Sequence, residues 1–305
     1  MSNIAIVGGG ASGLIAACFA SDHGHNVTIF EKQKKLGRKL QATGNGQCNI
    51  SNIDIGAHRY HGKNPKFVNN IFSRFSLEDT IAFFSSIGLP IIEGKDGKLY
   101  PSSLQASTVL ALFEYELKKR KIEIHLHRRI DQIVPKKNQF AMTTAGNEVH
   151  YFDKVILATG SIAYPKLGAT TSGYNLAKKF GHTLIEPFPA ILPINIPEKR
   201  MHRLQGIKFD CMLSVKVEQK ELTQSFGELL FTGYGLSGPV SLAVSRHVNE
   251  QILKKNIPEI HIDFFPHKSK DELLSQLETL FSDNEKLVAL SLLGILKKGM
   301  PEVLL

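Results

Sequence analysis

Cysteine is scarce in this 305-residue chain, and Cys18, Cys48 and Cys211 lie far apart with no C-x-x-C pair. That spacing excludes a disulfide framework and a cysteine-based zinc site, and it predicts a reducing, cytoplasmic setting. Long apolar runs are missing too. No stretch outside residues 4–20 approaches the about 18 apolar residues of a membrane-spanning helix, so no membrane partner is expected. Residues 4–20, IAIVGGGASGLIAACFA, are small and apolar enough to suggest a signal peptide. No Lys or Arg precedes them and three consecutive glycines break their apolar core, so they are read as part of the folded protein. The twelve histidines include no H-E-x-x-H or related spacing, and no metal centre is expected. His125 and His127 read instead as alternate residues on one strand face.

Negative charge is in deficit: 28 acidic residues face 37 basic ones, a formal charge of +9. The cations gather at Lys32, Lys34, Lys35, Arg38 and Lys39, then at Lys118–Lys121, then at Arg128, Arg129, Lys136 and Lys137. These runs lack interleaved stacking aromatics, so solvated surface or a polyanionic small ligand is expected before nucleic acid.

What the chain does have is concentrated in its first fifty residues. Ile4–Val7 reads as a buried parallel strand, followed by GGGASG, a helix-like apolar segment, a second strand NVTIF and an acid, Glu31. This is the order of a dinucleotide-binding βαβ unit. Gly8 suits the tight turn, Gly10 the close approach of backbone to a pyrophosphate, and Gly13 the packing of helix on strand. The helix N-terminus supplies unpaired N–H groups to phosphate, and Glu31 is placed to accept bonds from ribose hydroxyls. An acid there repels a 2′-phosphate. A second match to the same pattern, Gly233–Gly238, is followed by Pro239 and by no strand ending in an acid at the required spacing. It is read as a structural turn.

After Glu31 comes GRKLQATGNGQCNISN, residues 37–52, with neither helical nor strand periodicity; it reads as a long basic loop. Helical patterns follow near 64–75, 77–87 and 104–120, and Ser76 with Asp79 resembles a capping box. From Ile122 the pattern becomes short alternating runs, read together as an antiparallel ribbon. Next comes KVILATG, residues 154–160, read as a buried strand leaving through a flexible turn. Pro187, Pro189 and Pro193 mark the crossing between a domain over 1–188 and a second over 189–305. The second reads as strand-rich to about 240 and mainly helical beyond, with a strand at 259–265. Cys48, near Arg38 and Lys39, reads more readily as a small packed side chain than as a reactive thiol.

The blocks GGGASG, FEK, GRKLQATGNGQCNISN, YPSSLQAS, VILATGSIAYPKLGATTSGY and GELLFTGYGLSGP resemble the BaiN-type, aminoacetone-oxidase-like NAD(P)/FAD-dependent oxidoreductases of bacteria. The resemblance implies an α/β fold: a Rossmann-like, two-dinucleotide-binding FAD domain with an antiparallel ribbon and an inserted β-rich and helical substrate domain. It implies FAD as cofactor, with NAD(P)H as a candidate electron donor and a small molecule as substrate. By the resemblance, Gly8, Gly10, Ser12 and Gly13 hold the pyrophosphate and Glu31 the ribose. Arg38, Lys39, Gly44 and Asn49 line the phosphate and flavin side, Thr159 and Gly160 approach the cofactor, and Ile130 lies near the adenine. The chain departs from the family at Gly233, where a histidine is common, and at Asn45 and Gln47, where a glycine and an arginine are. The family continues for about a hundred further residues, so a truncated member, or a remnant without turnover, is the alternative expectation.

Overall fold

Four of the five residues in each of β1 (Asn3–Val7) and β2 (Asn26–Phe30) are buried, as expected for strands covered on both faces. Their side chains alternate between two cores. Ile6, Val27 and Ile29 pack with α1 (Ala11–Asp22) and a later helix, whereas Ala5, Val7 and Phe30 pack against an antiparallel ribbon. The computed structural model describes residues 1–62, 64–283 and 285–305. They divide into two units, Met1–Leu184 and Ile185–Leu305.

In the first unit the chain leaves β2 through 3₁₀ turns over Leu40–Gly46 and makes a long excursion. This comprises β3 (Ser51–Asn52), α2 (Asn69–Phe72), α3 (Leu77–Ser86), β4 (Ile91–Glu93), β5 (Lys98–Pro101) and α4 (Ala106–Lys119). It returns to the sheet as β6 (Glu123–His125), parallel to β2. The ribbon β7 (Ile130–Lys136), β8 (Gln139–Thr144) and β9 (Val149–Phe152) follows, then β10 (Lys154–Leu157) and α5 (Ser172–Lys179). The parallel sheet has the order β10-β1-β2-β6. Its helix side is covered by α1, through Leu14, Ala17 and Cys18, and by α4, through Val109, Leu110, Phe113 and Leu117 at helical spacing. Ser76 caps α3: its hydroxyl accepts the Asp79 N–H at 3.1 Å, and the Asp79 carboxylate accepts the Ser76 N–H at 2.8 Å.

Four local expectations change. The run IEIHL does not belong to the ribbon; its central residues form β6 and extend the parallel sheet, because α4 carries the chain back beside β2. KVIL is an edge strand paired only with β1, and Ile156 and Leu157 keep 36% and 37% exposure instead of being buried. His127 lies beyond β6 with φ at +56°, so it does not share a strand face with His125. The expected helix near 64–75 is a 3₁₀ turn over Pro65–Val68 running into the single turn α2.

The second unit is built on an antiparallel sheet of order β11-β14-β13-β12-β15. These strands are β11 (Ile194–Asn195), β12 (Lys208–Val217), β13 (Lys220–Thr232), β14 (Gly235–Ser237) and β15 (Glu259–Asp263). The short α6 (Lys199–His202) precedes β12, and α7 (Pro239–Leu253) lays Val240, Val244 and Val248 on the sheet against Leu213, Val215, Leu229 and Phe231. The remaining helices are α8 (Lys270–Leu280), α9 (Val288–Leu292) and α10 (Pro301–Leu304). Among the described residues no helix is long and apolar enough to cross a membrane.

Candidate functional site

The site begins with a backbone constraint. Gly8 has φ of +114°, and a methyl group there would lie 2.4 Å from the Ala158 carbonyl oxygen, so only glycine fits between β1 and the turn after β10. Gly13 packs beneath it, where a methyl group would lie 1.9 Å from the Gly8 carbonyl oxygen. Gly10, the N-cap of α1, is different: nothing lies within 4 Å of the position a Cβ would take. The loop is closed below and open above. No side chain caps α1, so the N–H groups of its first turn have no intrahelical partner and face the region where an anion is favoured.

Glu31 follows β2 and ties the loop down. Its Oε2 accepts the Gly9 N–H at 2.8 Å and its Oε1 accepts the Gln33 N–H at 2.8 Å. A cleft of about 360 Å³ opens over this arrangement. Of the residues expected at the site, Gly8, Gly10, Ser12, Glu31, Arg38, Lys39, Thr159 and Gly160 line it together. Gly13 supports the loop from below instead of lining it. Ile130 lines a neighbouring hollow of about 950 Å³, which shares Lys32, Gln33, Gly168 and Ala169 with the cleft. Gly44 and Asn49 line neither. A methyl group at Gly44 would meet the Asn49 backbone nitrogen at 2.8 Å, and the Asn49 amide reaches the carbonyls of Ser51 and Leu99 at 2.9 and 3.3 Å. These two residues shape the 3₁₀ turns and anchor them to the β3–β5 sheet.

The cations are held by neutral partners. Arg38 Nη1 donates to Gln33 Oε1 at 2.7 Å, Lys39 Nζ to the Ser161 carbonyl at 2.8 Å, and Lys32 Nζ to Thr170 Oγ1 at 2.8 Å. Partial burial pushes the Lys32 pKa down, against the opposing pull of Glu31. None of Lys32, Lys35, Arg38 and Lys39 forms a salt bridge with a carboxylate among the described residues. Cys48 is buried at 5% exposure, and burial pushes its thiol up despite a hydrogen bond with the Thr43 side chain. The thiolate a nucleophile requires is therefore disfavoured.

Sequence reasoning did not single out Lys32, Gln33, Lys35, Thr43 or the segment Leu167–Ala169 as lining residues. Their signal was faint. Lys32 and Lys35 stood in a recognised charge run, but the Leu167–Ala169 segment reaches the cleft only because the chain folds back after β10.

A cleft of this kind, across the carboxyl ends of parallel strands at a glycine turn, with an acid after the second strand, defines a Rossmann-type dinucleotide-binding protein. The residues fit FAD. The open space above Gly10, the free first-turn amides and the cations without a carboxylate partner together suit a pyrophosphate that bridges two nucleoside-like halves. The family described as HI0933-like protein Rossmann domain matches residues 2–262, and the chain belongs to this family of BaiN-type flavoprotein oxidoreductases. It is 34% identical over 281 residues to the 3-dehydro-bile acid delta(4,6)-reductase of Clostridium scindens, covering 92% of this chain and 68% of that protein. It is 27% identical over 303 residues to a ribosomal RNA dihydrouridine synthase of Haemophilus influenzae, covering 98% and 72%. The Escherichia coli protein of the same name is 26% identical over 268 residues, covering 87% and 66%.

The second glycine hexapeptide lines neither of these clefts. Gly233 and Tyr234 turn the chain from β13 into β14, and Gln205 occupies the space beside Gly233, 2.9 Å from where a methyl group would stand.

Proposed function

We propose that the chain is an FAD-dependent reductase that passes hydride from a reduced nicotinamide, or a small organic donor, to an activated carbon–carbon double bond of a small organic substrate. The observation that carries this reading is the cleft itself: an open glycine loop, a helix N-terminus and, in the segment after β2, four cations with no carboxylate partner among the described residues. FAD held there would supply the redox chemistry. The bare backbone at Gly10 and the first-turn amides of α1 bind the pyrophosphate, with Arg38 adding charge. Glu31 orients the ribose while holding Gly9 in place. Thr159 and the bare Gly160 let the main chain come close to the far half of the cofactor. No protein nucleophile is required, and Cys48 takes no part.

The acceptor class is supported by the relatives' names. A delta(4,6)-reductase and dihydrouridine synthases are all named for reductions, although their substrates differ in size. Three free, buried cysteines support a cytoplasmic location. The test is direct: purify the protein, add FAD, and record the visible spectrum and flavin fluorescence. Bound flavin that is bleached anaerobically by NADH or NADPH and recoloured by an enone supports the proposal. A protein that takes up no flavin sinks it. Flavin uptake without reduction by any donor favours a nucleotide-binding chain without turnover.

One observation favours a second reading, in which the double bond belongs to a base in RNA. The first unit holds 23 of the 37 basic and 13 of the 28 acidic residues, a formal +10, while the second holds 14 and 15, a formal −1. A gel shift with structured RNA that weakens steeply with salt would favour this reading; its absence at physiological ionic strength returns the substrate to the small-molecule class.

A further inference from the structure

Arg38 and Lys39 are adjacent in sequence but diverge in space, and the sheet order says where each goes. The glycine loop leaves β1, the middle of the three strands whose ends form the cleft. Glu31 stands at the end of β2 on one side, and the Ala158-Thr159-Gly160 turn stands at the end of β10 on the other. Arg38 reaches to the β2 side, donating to the side chain of Gln33 and, at 3.4 Å, to the Lys166 carbonyl, in the segment after β10 whose Gly168 folds back against Gln33. Lys39 reaches to the β10 side, where its Nζ donates to the Ser161 carbonyl. A methyl group on Gly160 would lie 3.7 Å from that ammonium, and Gly160 holds φ of +73°.

This division matters because a dinucleotide lying across the cleft has direction. Its ribose end is fixed at Glu31 and its pyrophosphate at the loop over β1, so its redox half lies toward β10. Four cations line the cleft, against one carboxylate whose two oxygens already accept backbone N–H groups. A pyrophosphate diester brings two negative charges, which leaves positive charge in surplus. Lys39 is the cation placed to apply that surplus at the redox end.

Resting on the cofactor reading above, we infer that Lys39 is the charge partner of the flavin ring: its ammonium stabilises the negative charge the ring gains on reduction, while Arg38 serves the phosphate half. An ammonium near a group that becomes negative favours the charged state, and it does so more strongly where the site excludes water. Lys39 therefore sets the driving force for hydride entry, and Arg38 sets affinity.

The test compares wild type, Lys39→Met, Lys39→Arg and Arg38→Gln, each loaded with FAD. For each, the affinity for oxidised FAD is measured by fluorescence quenching and the midpoint potential by dithionite titration against a reference dye. Lys39→Met is expected to weaken binding of reduced flavin about tenfold more than that of oxidised flavin, which lowers the midpoint by about 30 mV for a two-electron couple. Lys39→Arg keeps the wild-type potential. Arg38→Gln weakens oxidised FAD about tenfold and leaves the potential in place. A Lys39→Met protein that binds FAD with an unmoved potential overturns the role of Lys39 alone, as does one that loses affinity for both oxidation states equally. Wild-type protein that binds no FAD overturns the cofactor reading and this inference with it.

Discussion

The two glycine hexapeptides of this chain, Gly8–Gly13 and Gly233–Gly238, share a pattern and little else. In the first, the glycine at the centre has open space above it, and the outer two make room for β10 and α1. In the second, every glycine is used against protein. A methyl group at Gly235 would lie 2.2 Å from the Ile194 carbonyl oxygen, and one at Gly238 would lie 2.6 Å from the Glu228 carbonyl oxygen. Leu236 between them is fully buried in the sheet core. The pattern thus reports only that backbone comes close to something. Whether that something is a ligand or a neighbouring strand depends on the element that follows and on the charge around it.

The comparison can be broken most sharply by filling each turn. Gly8→Ala is expected to weaken FAD by about a hundredfold, roughly 3 kcal/mol, because the methyl group displaces either the loop or the Ala158 carbonyl. Gly235→Ala is expected to destabilise the protein to urea by about 1–3 kcal/mol and to leave FAD affinity within about twofold. Equal losses of flavin in both variants would end the distinction. The acids that follow each turn in sequence give the next contrast. Glu31→Gln removes one of two charge-assisted bonds to backbone N–H groups and should cost about 1.5–3 kcal/mol, seen as about tenfold or more in FAD affinity. Asp263→Asn, whose carboxylate accepts the Phe265 N–H at 2.9 Å, should leave flavin titrations unchanged.

Smaller effects sharpen the separation of the two units. Ser76→Ala and Ser269→Ala each break a capping box, one per unit, and each should cost about 1 kcal/mol in urea unfolding without moving FAD affinity. A separate contrast is alkaline. Burial pushes Cys211 from a thiol's usual 9.0 up to about 11, with Asp210 and Asp263 adding to the shift. The unfolded thiol releases its proton first, so stability falls as pH rises from about 9 and levels off near 11. Cys211→Ala should flatten that decline, measured as the urea midpoint from pH 8 to 11.

Much of the first unit was legible because its signals are local. Strand, glycine turn, helix, strand and Glu31 follow one another within thirty-one residues, and the Ser76 capping box needs only four. The errors arose where the partner is remote. A three-residue strand such as β6 cannot announce whether it joins a ribbon or a parallel sheet, and the exposure of β10 follows from its place at the edge. The two-residue hairpin between β12 and β13 uses Glu218 and Gln219 at φ of +49° and +67°, where Asn-Gly would have been the readable choice. At the site, the glycines and the acid could be read directly. The path of Lys39 could not, because its partner Ser161 is brought to it from 122 residues away.

The bonds from Glu31 to Gly9 and Gln33 have a kinetic consequence. Because both carboxylate oxygens already anchor backbone, the glycine loop has its shape before any ligand arrives, and capture costs little ordering entropy there. In the proposed complex, the same tether would make the arriving ribose share an acceptor already in use. Entry would then be fast and the adenosine end readily exchanged, with retention set by the contacts along the rest of the trough.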